Sequence, residues 1–150
     1  MITITAHLID MPDEQQLLEH FGLNKGGRIQ HIINEAVIRE CRPYVPASPD
    51  RVLEGSVKSD VENGQVIWDT PYAHYQYMGI VYGPNIPIIQ DGILMRWFSP
   101  PGRPKSPTDR ELTYDTRQNH LAGSHWFERM KADHLNDILE EAQKALSQGR

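Results

Sequence analysis

The chain reads as an α+β protein: a small antiparallel sheet packed by two long helices, about residues 24–41 and 124–147, with a long proline-rich arm over about residues 83–119. Three observations predict this. Apolar residues recur at helical spacing in two separate stretches. β-branched and aromatic runs bounded by turn residues lie between them. Six of the eleven prolines fall between Gly83 and Asn119, which sets that stretch apart. A length of 150 residues suits one domain with one core, so residues 1–150 are read as a single domain.

In chain order, ITITAHLI at Ile2 to Ile9 alternates and predicts a strand. Pro12 precedes a short helix over Asp13 to Phe21, which Gly22 ends. Asn24 is placed to cap the first long helix. Ile29, Ile32, Ile33, Ala36 and Val37 then form one apolar stripe, stopped by Pro43. PYVPASPD is a linker. VLEGSVKSDV and GQVIWD are β-type runs, and Asn63-Gly64 between them is a strong hairpin signal. Thr70 and Pro71 read as the cap and first residue of a short helix over PYAHYQYM, ended by Gly79. Within Gly83 to Asn119, ILMRWFS and ELTYD are β-like. The whole stretch predicts an extended arm or hairpin projecting from the domain. Ser124 opens the second long helix, whose stripe is Phe127, Met130, His134, Ile138, Ala142 and Ala145. Trp126 and Phe127 are expected to anchor that helix to the sheet.

Composition narrows the function. A net charge of −5 argues against a general nucleic-acid binder, which needs a basic face. The single cysteine, Cys41, excludes an intrachain disulfide and a cysteine zinc site, and suits a reducing compartment. The absence of a run of about 18 apolar residues argues against a transmembrane helix. MITITAHLIDMPDE lacks the basic and apolar regions of a signal peptide, so the mature chain is expected to begin at Met1. Charge is segregated: Met1 to Asn24 and Ser59 to Met95 carry acids with no Lys or Arg, while bases gather in Lys25 to Lys58 and Arg96 to Arg117. Such alternation suits head-to-tail contact between copies, and solvated faces explain it equally well.

Chemistry is poorly represented. The seven histidines form no HExxH or Cys/His pattern, so no metal site is expected. Cys41, at a helix end before Arg42 and Pro43, reads as an inert thiol. Ser48, Ser56 and Ser124 lack a nucleophile-elbow context. GLNKGGR matches neither GxGxxG nor GxxxxGK. No catalytic residue and no cofactor is therefore expected, and the chain is not read as an enzyme. Its aromatic residues point to contact surface instead, because interface cores are rich in Tyr and Trp. Tyr72 and Tyr75 share a helix face and are expected in the core. Tyr77, Tyr82, Trp97 and Phe98, with Arg96 and Arg103, are the interface candidates. A single-strand stacking platform needs a basic groove, and the acid-only stretch around the tyrosines discounts one.

GLNKGGRIQHIINEAVIRECRPYVP, DTPYAHYQYMG and AGSHWFERMKADH together resemble the minor capsid protein family of long-tailed phages. More distantly, the order is similar to the phage tail-component family whose members complete the head-to-tail joint. There a long helix, a Pro-containing linker, a Leu–Ser strand start, a Tyr-Ala segment ending in Gly and a C-terminal helix opened by an aromatic follow one another. The corresponding stretches are Ile29 to Cys41, Pro43 to Pro46, Leu53 to Ser56, Tyr72 to Gly79 and Trp126 onward, within a match from about Gly22 to Leu139. The wider family often has Thr-Gly before the Leu–Ser start; here the stretch reads Ala47-Ser48-Pro49-Asp50-Arg51. The resemblance implies a virion protein of the neck, made in the host cytoplasm. It implies a homo-oligomer, a sixfold ring, that joins connector and tail-tube proteins and lets double-stranded DNA pass without specific binding. No membrane partner is implied. Asp60 and Glu62 are then candidates to line the bore. A head-completion stopper, a tail terminator and a non-viral oligomeric adaptor are the alternatives.

Overall fold

The computed structural model describes residues 14–149; the strand expected over Ile2 to Ile9 lies outside them. The elements in order are α1 (Glu14–His20), α2 (Arg28–Cys41), α3 (Val52–Gly55), β1 (Val57–Asp60), β2 (Gln65–Trp68), α4 (Ala73–Met78), β3 (Ile80–Gly83), β4 (Ile86–Gln90), β5 (Ile93–Phe98), β6 (Ser106–Glu111) and α5 (Trp126–Gln148). The chain is thus mixed helix and strand, ending in a long helix of 23 residues.

Among the described residues the strands form three separate two-stranded pairs, β1–β2, β3–β6 and β4–β5, where the sequence predicts one sheet. Prolines account for part of this. Pro87 in β4 and Pro107 in β6 each lack the N–H that a further ladder needs, so they suit edges. β3 and β6 are antiparallel, with Ile80 opposite Glu111 and Tyr82 opposite Pro107. Between these pairs β6 bulges, and the Thr108 hydroxyl donates to the Val81 carbonyl at 2.6 Å. The sequence reads ELTYD as β-like; the strand falls earlier, at Ser106–Glu111.

Two further expectations are corrected. Val52–Gly55 is a helical turn rather than strand: Arg51 is left-handed at φ 51°, and the Gly55 N–H donates to the Arg51 carbonyl. α4 starts at Ala73 rather than Pro71, because a turn bond from the Ala73 N–H to the Thr70 carbonyl precedes it. Tyr72 consequently lies exposed, not in the core.

The chain divides into two compact units. The first comprises the described residues up to Arg39, Ser59–Ile67, and the chain from His134. Its buried apolar residues include Ile29, Ala36, Ile138 and Ala142, all at the helical spacings read from the sequence. Asn34 is buried among them, 2% exposed, and it is satisfied. It donates to Ser59 Oγ and the Gln65 carbonyl, and accepts from Gln30 Nε2 at 2.8 Å. That side chain ties α2 to the β1–β2 pair. Arg39 and Glu141 join α2 to α5 at 2.6 Å on the exposed side.

The second unit comprises Glu40–Lys58 and Trp68–Asp133. Its core holds Cys41, Tyr44, Val45, Leu53, Trp126 and Met130. Trp126, 2% exposed, meets Trp68 edge-on at 5.6 Å and Tyr77 edge-on at 4.6 Å. Buried Asn119 donates to the Arg42 and Val45 carbonyls at 2.9 and 2.7 Å, covering acceptors left open where α2 ends.

Trp126→Ala is expected to cost about 3–5 kcal/mol of stability through the cavity and lost transfer energy. Asn119→Ala is expected to cost about 1–3 kcal/mol, because two carbonyls lose their donor. Denaturant unfolding of the purified variants checks both.

Candidate interaction surface

The Tyr-Ala-to-Gly segment is held by its C-terminal carbonyls. A six-residue helix leaves most of its acceptors open, and here they are taken by its C-terminal glycine and by two distant residues. The Gly79 N–H donates to the Tyr75 carbonyl, the Tyr114 hydroxyl to the Gln76 carbonyl at 2.5 Å, and the His125 N–H to the Tyr77 carbonyl at 2.9 Å. Gly79 is left-handed at φ 74°, and a Cβ there would lie 2.7 Å from Ser124 Cβ, so no larger residue fits.

Of the interface candidates, Tyr77 is half-buried against Trp126 and its hydroxyl donates to Glu128. Burial, then that bond, raises the Tyr77 phenol above its ordinary range; the same bond lowers Glu128. Tyr82 is also half-buried, 4.8 Å from the Tyr75 ring and 6.0 Å from His74. The two tyrosines therefore act first as internal packing of the second unit.

Arg96, Trp97 and Phe98 are placed differently. All three lie on β5, in a hairpin whose residues are almost wholly exposed. Ile86 faces Phe98, Pro87 faces Trp97, and Ile88 faces Arg96 across the ladder. Cross-strand partners share a face and neighbours alternate. Ile86, Ile88 and Phe98 therefore sit on one face, and Pro87 and Trp97 on the other. Ile89, Ile93 and Met95 are 61, 65 and 60% exposed, and Trp97 is 53%. Such a hairpin is apolar on both sides with neither side covered, unlike the half-buried strand of an ordinary monomer. Arg103 stands exposed in the loop that follows. A groove of about 210 Å³ lies at the base, lined by Val81, Asn85, Trp97 and Arg110. Sequence reading found the Trp-Phe-Arg part of this surface. It missed Ile86, Ile89, Ile93, Leu94 and Met95, although an unbroken apolar run around a turn was there to be seen.

Asp60 and Glu62 lie at the end of β1 and in the turn after it. The Asp60 carboxylate accepts from Asn63 Nδ2 at 2.7 Å and from the Asn63 N–H at 3.1 Å, and these bonds hold it below the usual carboxylate range. Glu62 is exposed. The Asn-Gly signal thus marks a turn that fixes one acid and presents the other.

A larger cavity of about 470 Å³ runs along the Pro46–Asp50 linker, Leu53, Tyr72 and Tyr114. Ser48, Asp50, Gln76, Thr113 and Asp115 give its lining a polar side, and the Ser48 hydroxyl donates to the Asp50 carboxylate. The Cys41 thiol, fully buried, is pushed up to about 12 by burial and then by the nearby Glu128 and Glu40 carboxylates. Among the described residues no group of three or more His, Cys, Asp and Glu gathers to hold a metal, and no helix is long and apolar enough to cross a membrane.

Tyr44, 2% exposed, donates to Asp133 at 2.6 Å, and its phenol is pushed up to about 12 by that bond and by burial. Raised folded-state values make stability complete below the unfolded value and reduce it as pH rises. Stability is expected to fall between about pH 9, where an unfolded thiol ionises, and about 12. Thermal melts across that range check this; Tyr44→Phe flattens part of the slope, and a pH-independent melt overturns it. Trp97→Ser is expected to change unfolding free energy by less than about 0.5 kcal/mol, because the side chain packs on little within the chain. Equilibrium unfolding beside the Trp126 variant separates the two tryptophans.

No protein-family model matches the chain, and neither the curated proteins nor the solved structures give a significant match.

Proposed function

We propose that the chain is a structural component of a phage virion, a ring-forming tail-completion or head–tail joining protein of the neck. The observation that supports this most is the β4–β5 hairpin, apolar on both faces and uncovered. A protein working alone in water gains nothing from such a surface, whereas an assembly component buries it on its neighbours. The resemblance of the Gly22 to Leu139 stretch supplies the particular assembly. In this reading two long helices form the packed body and Gly83 to Asn119 is the arm that reaches the next subunit or the adjacent ring. Different patches meet at each contact, and the ring closes when the rotation per subunit closes. Asp60 and Glu62 face the bore, where carboxylates repel the DNA phosphates and deny them the counterion-release gain of binding.

Purified particles from a host carrying the gene test this reading. Cryo-electron microscopy of the neck and quantitative mass spectrometry are expected to show a ring of copies in fixed stoichiometry between portal and tail tube. Absence of the chain from particles removes the proposal. Asp60→Lys with Glu62→Lys is expected to slow genome passage; unchanged passage removes the bore assignment alone.

A further inference from the structure

Among the described residues, two apolar parts of the chain stand open to solvent. α1 is one: Leu18 within it, with Phe21 and Leu23 just beyond, are exposed, and the helix has no buried residue. The β4–β5 hairpin is the other. Neither type of element is stable alone. A seven-residue helix does not repay its nucleation in water, and an isolated two-stranded hairpin is marginal. The charged groups beside them differ in sign. Glu14 and Glu19 stand in a stretch without Lys or Arg, while Arg96 in the hairpin is followed by Arg103 and Lys105, against Asp91 alone at the turn. Among the described residues, Glu14, Glu19, Arg96 and Arg103 have no ion-pair partner.

We propose that α1 of one copy packs the Leu18–Phe21–Leu23 face onto the β4–β5 hairpin of a second copy, with Glu14 and Glu19 toward Arg96 and Arg103. This rests on the assembly reading and names its contact. Helix on sheet is one of the stable layer pairings. The two patches differ, so the contact is head-to-tail: each copy offers α1 to one neighbour and the hairpin to the other. Hairpin on hairpin would bring Arg96 against a like charge. A bilayer is a poor occupant, because the open strand edges of a hairpin cannot enter hydrocarbon unsatisfied.

Disulfide trapping with the full chain tests the contact directly. Leu18→Cys and Phe98→Cys, the latter on the hairpin face that carries Arg96, are made as separate variants; native Cys41 is buried and takes no part. Oxidation of the mixture is expected to give a covalent dimer, and oxidation of either variant alone none. A dimer from Phe98→Cys alone means hairpin–hairpin pairing and overturns the proposal. So does an internally closed monomer from the doubly substituted chain, or no cross-link in any sample at millimolar protein. A second measurement uses charge. Glu14→Lys/Glu19→Lys and Arg96→Glu/Arg103→Glu are each expected to weaken self-association in sedimentation by about five- to tenfold, the scale of two exposed ion pairs. An equimolar mixture of the two is expected to restore it, since each reversed patch then meets its complement. Weakening that mixing fails to restore counts against the pairing. Particles that contain the chain but lack the cross-link overturn this contact and leave the neck role standing. A cross-link in a chain absent from particles does the reverse.

Discussion

The second unit depends on one indole. Trp126 opens α5 while lying 2% exposed, edge-on to Tyr77 of α4 and to Trp68 at the end of β2. One large ring thereby joins three elements that sequence separation would otherwise leave to loop entropy. Other bonds gather around it. Tyr77 reaches Glu128 one turn inside α5, and the backbone before Trp126 covers the α4 carbonyls through His125. The Tyr-Ala-to-Gly segment is helical because these groups meet it; its own six residues leave too many acceptors open to hold the turn alone.

That core uses a small part of the apolar side chains. Others, Ile86, Ile89, Ile93, Leu94, Met95, Trp97 and Phe98, are spent on a hairpin that leaves them in water. The contrast between two tryptophans makes the point. Trp126 and Trp97 have the same chemistry, yet one organises a unit and the other touches little besides the rim of a shallow groove. A chain under selection for solubility alone would not hold such a strand pair, whose edges and faces invite association. In the proposed assembly, segregated charge would limit that association to particular partners, because Arg96, Arg103 and Lys105 stand at the end of the hairpin and beyond it while α1 and the β1–β2 turn carry acids.

Much of this was legible from sequence, residue by residue. Helical spacing located Ile29, Ala36, Ile138 and Ala142 in their core, since burial of one stripe follows directly from a 3.6-residue period. Asn63-Gly64 located its turn, since few residue pairs accept that backbone. Charge segregation and the Arg96-Trp97-Phe98 surface candidates were equally plain. Tyr72 went astray: it lies just before α4, beside the Ala73–Thr70 turn bond, and is exposed.

The sequence by itself determined much of the local alphabet, the apolar stripes of α2 and α5 and the Asn63-Gly64 turn, but it misread Val52–Gly55 as strand and placed the Ser106–Glu111 strand too late. Only the tertiary structure decided which strands pair, and among the described residues it made three pairs where pattern suggested one sheet. It alone chose Asn34 and Asn119 as the buried polar ties, and set Trp126 inside and Trp97 outside. The physical reason is range. Helical period and turn chemistry are set by neighbours a few residues away, while strand pairing, buried amide partners and the fate of an aromatic ring depend on groups tens of residues distant.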